Sequence, residues 1–171
     1  MISITKLIDI LNKPALLYWA NKVGLNGESL NDYYGRTSKR GISKHKEIEE
    51  YLLNKVLFKE ADLLNKCLDG YSVKHVEYNV SNTYITGRVD LILSNNNESI
   101  IVDFKSNNKV YLQQKLQLSA YKELYGANKI AIINTNKWKL EFLDIDTEKY
   151  YEMVKRLYQI HELLILLNEK L

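Results

Sequence analysis

Asp90, Asp103 and Lys105 are the residues whose types and spacing point most directly to chemistry. They flank a turn signal. Gly87 to Leu93 and Ser99 to Ser106 are runs rich in β-branched and apolar residues, and Asn95-Asn96-Asn97-Glu98 between them is polar. This pattern predicts a β-hairpin. Folding about the midpoint of Asn95–Glu98 pairs Ser94 with Ser99 and sets Asp90 opposite Asp103. Directly opposed residues have Cβ atoms roughly 4.5–5.5 Å apart, and two carboxylates at that separation repel unless a cation sits between them. Lys105 is two residues beyond Asp103 and so lies on the same strand face. Two carboxylates and an ammonium on one patch have the composition of a divalent-metal site with a basic partner. The competing reading is an exposed strand face with an ordinary ion pair, and a slip of one residue in register would separate the aspartates.

Two further groups fall in order around this hairpin. Downstream, Val110 to Tyr125 has helical spacing, and Gln117 and Tyr121 share a face four residues apart. Upstream, Gly41-Ile42-Ser43-Lys44-His45-Lys46-Glu47-Ile48-Glu49 opens another helix, with His45 and Glu49 one turn apart. Gly-x-x-Asp, Asp-x-Lys and Gln-x-x-x-Tyr, preceded by a helical His, resemble the PD-(D/E)XK nuclease superfamily. More narrowly they are similar to its RecB-like branch, which includes the mitochondrial genome maintenance and CRISPR-associated exonucleases. The resemblance spans residues 41 to 121.

The resemblance implies a restriction-endonuclease-like α/β/α core and a metal held by Asp90, Asp103, His45 and the backbone carbonyl of Phe104. It implies that Lys105 orients or deprotonates an attacking water, or stabilises the charged phosphate. Gln117 and Tyr121 would hold DNA or the hydrogen bonds of the site. Glu49 and Glu77 would support the ligands without touching the ion. A mainly oxygen-ligated site with open positions suits Mg2+ or Mn2+. Some members of the branch carry a four-Cys iron–sulfur cluster, which a chain with the single Cys67 cannot build. The implied activity is a metal-dependent DNA exonuclease of recombination, repair or replication, acting on DNA that is single-stranded or has free ends. A non-catalytic relative that binds nucleic acid or protein is the alternative, and a sequence-specific endonuclease of the same superfamily a third.

Other residues have the make-up of a nucleic-acid surface. Tyr33 and Tyr34 precede Arg36, Lys39 and Arg40, and Trp19 lies upstream. Aromatics interleaved with cations stack bases and hold phosphates. With 13 Tyr in the chain, a surface loop with chance neighbours is the competing reading. Ser106 and Lys109 follow the Asp-x-Lys strand, where a backbone phosphate would be met.

The elements that must position these residues read as follows. Helices over Ile4 to Val23, capped by Thr5 and broken at Pro14, lead into a polar loop. A long helix runs from Ser43 to about Asn65. Strands are expected over Tyr71–Tyr78, Tyr84–Leu93 and Ser99–Ser106, then the Gln117 helix, which ends at Gly126. Two strands follow, Lys129–Thr135 and an alternating one through Trp138, Leu140 and Phe142. A closing helix capped by Asp146 or Thr147 runs to Leu171, with Met153, Leu157, Ile160, Leu163, Leu164 and Leu167 inward. The expected fold class is α/β, a mixed central sheet of about five strands flanked by helices. The expected organisation is a single domain over 1–171 in which 1–40 is a helical extension.

Composition narrows the class. Hydrophobic content of 46% with 26% charged residues is ordinary globular usage, and the net charge of +3 is mildly basic. One cysteine excludes a disulfide framework within the chain. No run is long and apolar enough for a membrane span, and Met1 to Lys6 lacks the features of a secretion signal, so a cytoplasmic protein without membrane partners is expected.

Overall fold

The structure is a computed structural model, and it describes residues 1–11, 14–27, 29, 43–106 and 109–167, with backbone alone for 14–19. The chain forms two compact units, one of Met1–Ile10 with Glu60–Leu171 and one of Leu11–Lys59.

The larger unit holds β1 (Ile2–Ser3), α1 (Ile4–Ile8), α4 (Ala61–Cys67), β2 (Ser72–Ser81), β3 (Ile85–Asn95), β4 (Glu98–Lys105), α5 (Leu112–Tyr125), β5 (Lys129–Asn134), β6 (Lys139–Phe142) and α6 (Thr147–Leu166). The smaller unit holds α2 (Pro14–Leu25) and α3, residues 43–54. Among the described residues the strands make one six-stranded mixed sheet. β2, β3 and β4 form an antiparallel meander, β4 pairs with β5 in parallel, and β6 closes the far edge antiparallel to β5. The helical crossover of α5 between the parallel strands β4 and β5 is the connection such a pair requires.

The hairpin has the register expected from its turn. Ser94 pairs with Ser99 and Asn95 with Glu98, leaving Asn96 and Asn97 as a two-residue loop. Both loop residues have positive φ, 46° and 71°. A type I′ turn demands that, and Asn tolerates it. Leu91, Ile92, Leu93, Ile100, Ile101 and Val102 are all nearly or fully buried, so both faces of this hairpin are covered. A slip of one residue would change which side chains meet each cover, and this fixes the register.

Several local expectations are corrected. Ser3 caps the first helix in place of Thr5, its Oγ accepting from Lys6 N–H at 3.2 Å. The two residues before that helix form β1, too short for any periodicity to show. The long helix expected to about Asn65 stops at residue 54, because Lys55 adopts the left-handed conformation at φ 59°. Its N–H still reaches Tyr51 O at 3.0 Å, the closing bond a glycine usually makes. Trp138 sits at φ 50° in the β5–β6 turn and not in the strand. β2 runs on to Ser81 through the segment expected to turn at Asn79. In α6 the buried stripe is Val154 and Leu157 alone, and Ile160, Leu163 and Leu167 are exposed. The contacts of α6 with α5 and α1 therefore bury only its first half.

Candidate active site

The sheet is interrupted where the aspartates lie. β2 covers one edge of β3 from Thr86 to Ser94. On the opposite edge, β1 pairs only with Ile85 and Thr86, and β4 only with Leu91 to Asn95. Among the described residues, 87 to 90 of β3 therefore have no ladder partner on that edge. Asp90 and Asp103 stand one step beyond the last β3–β4 pair, Leu91 with Val102. The Asp90 side chain takes over where the ladder stops, its Oδ2 accepting from Phe104 N–H at 3.0 Å. That bond anchors one aspartate to the strand carrying the other. Lys105 closes the group, with Nζ 3.0 Å from Asp103 Oδ2. Past it, Thr135 N–H donates to Lys105 O at 2.8 Å and Asn136 Nδ2 donates to Ser106 O at 2.6 Å, so β4 is held to the β5 turn to its last residue.

Asp103 is 4% exposed, and its Oδ2 accepts no hydrogen bond of directional geometry beside the ion pair. Burial first, and the Asp90 charge second, push its carboxyl up to about 7, and Lys105 opposes both. The native state therefore binds this proton more tightly than the unfolded chain does. The associated stability is fully present below the ordinary carboxylate range near 3.8 and is lost as pH rises to about 7. Without metal, wild type should lose melting temperature between about pH 5 and pH 8 relative to Asp103→Asn, which lacks the titrating group. Parallel melting profiles for the two proteins would contradict this assignment. The same cost shows what the site accepts. Two closely placed carboxylates, one buried and poorly satisfied, are hard oxygen donors that a divalent cation would neutralise, and such a cation would compete with the proton.

α5 supplies the next group. Its first turn is fixed by Gln114, whose side chain accepts from Tyr111 N–H at 2.7 Å, and its end by Gly126 at φ 75°. Between them Gln117 Nε2 donates to Tyr121 Oη at 2.9 Å. Tyr121 is 4% exposed. Burial raises its phenol above the ordinary range, the Gln117 hydrogen bond opposes this, and the charges of Asp90 and Asp103 add to the rise. The phenol thus lies within the field of both carboxylates. Its ring is seated on Gly87, where a Cβ would fall 2.3 Å from Tyr121 Cε1 and 3.2 Å from Ile4 Cδ1. The glycine of Gly-x-x-Asp is thereby explained as the seat of the tyrosine of Gln-x-x-x-Tyr. Gly87→Ala should destabilise the protein by about 1–3 kcal/mol through overpacking. That cost should shrink in a Tyr121→Ala background, since coupled neighbours are non-additive. An equal cost in both backgrounds, by thermal melting, would show that the ring is not what Gly87 accommodates.

The remaining candidates are placed as follows. Ser106 and Lys109 are exposed on either side of residues 107–108. Glu77 lies on β2 with its carboxylate 2.6 Å from Arg88 Nε. His45 and Glu49 are half-buried and one turn apart on α3 of the smaller unit, which buries Ile48. The backbone of Trp19 is in α2, and its side chain lies outside the described residues, as do Tyr33, Tyr34, Arg36 and Arg40. Among the described residues no three His, Cys, Asp or Glu side chains form a ready-made metal cluster. Nothing in the sequence marks Arg88, inside Gly-x-x-Asp, as the partner of Glu77. The same holds for the β5-turn residues Thr135 and Asn136, which the parallel pairing of β4 and β5 brings against Lys105 and Ser106.

A family model for the PD-(D/E)XK nuclease superfamily matches residues 20–170. A solved structure described as "Crystal structure of SSO0001" is similar over 92% of this chain and 75% of that chain, at 16% identity and a TM-score of 0.44. No curated protein matches the chain.

Proposed function

We propose, from the premise that the chain belongs to the PD-(D/E)XK nuclease superfamily, that it is a divalent-metal-dependent DNA exonuclease of the RecB-like branch serving recombination, repair or replication. The observation that carries the reading is Asp103. A buried carboxylate kept beside a second one at a break in the sheet is costly, and a cation is what relieves the cost.

Asp90 and Asp103 would hold the ion, Mg2+ or Mn2+, with the Phe104 carbonyl as a further ligand. The ion supplies charge stabilisation at the phosphate and a nucleophilic water. Lys105 Nζ, fixed against Asp103 at 3.0 Å, orients that water or meets the charge developing on the phosphate. Phe104 N–H holds Asp90 in place. Gln117 and Tyr121 keep the hydrogen-bonded wall beside the carboxylates. Trp19, Tyr33 and Tyr34 stack bases of the incoming strand, and Arg36, Arg40, Ser106 and Lys109 meet its phosphates. No described helix is long and apolar enough to cross a membrane. A location in the cytoplasm fits such a substrate.

Free ends distinguish an exonuclease from an endonuclease. With manganese present, purified protein should shorten end-labelled linear DNA, single-stranded faster than duplex, and leave a closed circle of the same sequence intact. Cutting of the circle would replace the exonuclease reading by an endonuclease one. Binding without cutting of either would return the chain to the non-catalytic alternative.

A further inference from the structure

Glu77 has a backbone its side chain does not explain. It stands inside β2 with φ 50°, a left-handed conformation that a long L side chain rarely adopts and that glycine adopts freely. Its carboxylate, 16% exposed, is turned onto Arg88 and meets Nε at 2.6 Å. The Arg88 side chain is 64% exposed, so this contact does not bury the guanidinium. It occupies Nε of a side chain that is otherwise largely exposed. A guanidinium is a planar fork, and a partner on Nε fixes the direction in which the fork points.

Arg88 precedes Asp90 by two residues on β3 and so shares its face of the sheet. Two strand residues span about 6.6 Å, comparable to one step between phosphates along an extended nucleic-acid strand. Both residues lie within residues 87 to 90 of β3, where β2 pairs along one edge and no described strand pairs along the other. A surface ion pair of this kind contributes little to stability. A strained strand residue makes poor sense as a staple and good sense as an orienting device.

We propose that Arg88 is a phosphate-binding residue that grips the backbone phosphate next to the one being cut, and that Glu77 is its positioning residue. This rests on the nuclease reading above and deepens it. The ligand is a polynucleotide with at least two consecutive phosphodiesters, and recognition at this point is of backbone and not of base.

The test measures kcat/KM of the full chain on a labelled oligothymidylate with manganese across a range of salt, alongside thermal melts. A lost phosphate contact lowers the log–log salt slope on a single strand by about 0.7. Arg88→Gln should show that reduction together with a lower kcat/KM. Glu77→Gly, which suits the left-handed backbone, should melt at or above wild type and still lower kcat/KM and the salt slope in the same direction. Glu77→Gln, which keeps an acceptor for Nε, should recover part of the loss. An unchanged slope in Arg88→Gln would overturn the proposal. So would a Glu77→Gly protein that melts lower yet cleaves with wild-type salt dependence, since the ion pair would then be structural. Failure of wild type itself to cleave would instead overturn the nuclease reading, and this proposal with it.

Discussion

Asp103→Ala should abolish cleavage at every concentration of manganese or magnesium while leaving the metal-free protein at least as stable as wild type. The two halves of this expectation have one cause. Asp103 is buried beside Asp90, and in its charged form it costs the native state stability, as the rise of its carboxyl to about 7 records. Replacing it by alanine removes a repulsion and a desolvated charge. The small cavity left behind and the released Lys105 are minor by comparison, because the Lys105 side chain is already 27% exposed and reaches water. The same carboxylate is half of the oxygen pair available to an ion. A ligand that binds only the native state stabilises it by about 2.7 kcal/mol at a hundredfold excess over its dissociation constant. Manganese should therefore raise the melting temperature of wild type at pH 8 and leave Asp103→Ala unmoved. A variant that melts well below wild type without metal would mean that Asp103 is structural. One that keeps both the manganese shift and the cleavage would remove it from the site.

Lys105→Ala should lose about 10²–10³-fold in rate, the measured cost of removing one preorganised electrostatic stabiliser in other enzymes, and should keep the manganese shift in melting temperature. The carboxylates are intact in this variant, so an ion still has its oxygen donors. Lys105 is also what holds the Asp103 carboxyl down against burial and Asp90. Without the ammonium that carboxyl rises further, and a proton competes better with the ion. The manganese shift of Lys105→Ala should thus be weaker than wild type near neutral pH and recover at alkaline pH, while the rate does not recover with it. A loss of rate that alkaline pH fully restores would show that Lys105 serves metal uptake alone. Wild-type cleavage by Lys105→Ala would leave Asp-x-Lys without a catalytic role.

The part of the site built from neighbours in sequence was legible before the structure. The Asn95–Glu98 turn sets the hairpin register, and that register carries Asp90 and Asp103 to one step beyond its last pair, Leu91 with Val102. The pairing of Gln117 with Tyr121 follows from helical periodicity in the same way. What was not legible depends on contacts between distant segments. A glycine in a strand does not announce that a tyrosine ring 34 residues later occupies its missing side chain, as Gly87 and Tyr121 show. The break in pairing at residues 87 to 90 arises because β1 joins β3 before it and β4 joins after it, and a two-residue strand carries no pattern of its own. The left-handed residues Lys55 and Glu77 are invisible for the opposite reason. Neither is glycine or asparagine, so the usual mark of such a conformation is missing. The mis-set end of the helix over residues 43–54 and the unforeseen contact of Glu77 with Arg88 both trace to these two residues.

The central claim is that Asp90, Asp103 and Lys105 form a metal-dependent phosphodiesterase centre, and one time course tests it most directly. Wild type and Asp103→Ala are incubated in parallel with end-labelled single-stranded DNA at pH 8, each with manganese and each with EDTA, and product is followed from the first seconds. The expected result is shortening of the label by wild type with manganese, none by wild type in EDTA, and none by Asp103→Ala in either condition. Cleavage by Asp103→Ala at the wild-type rate, or cleavage by wild type that persists in EDTA, would contradict it.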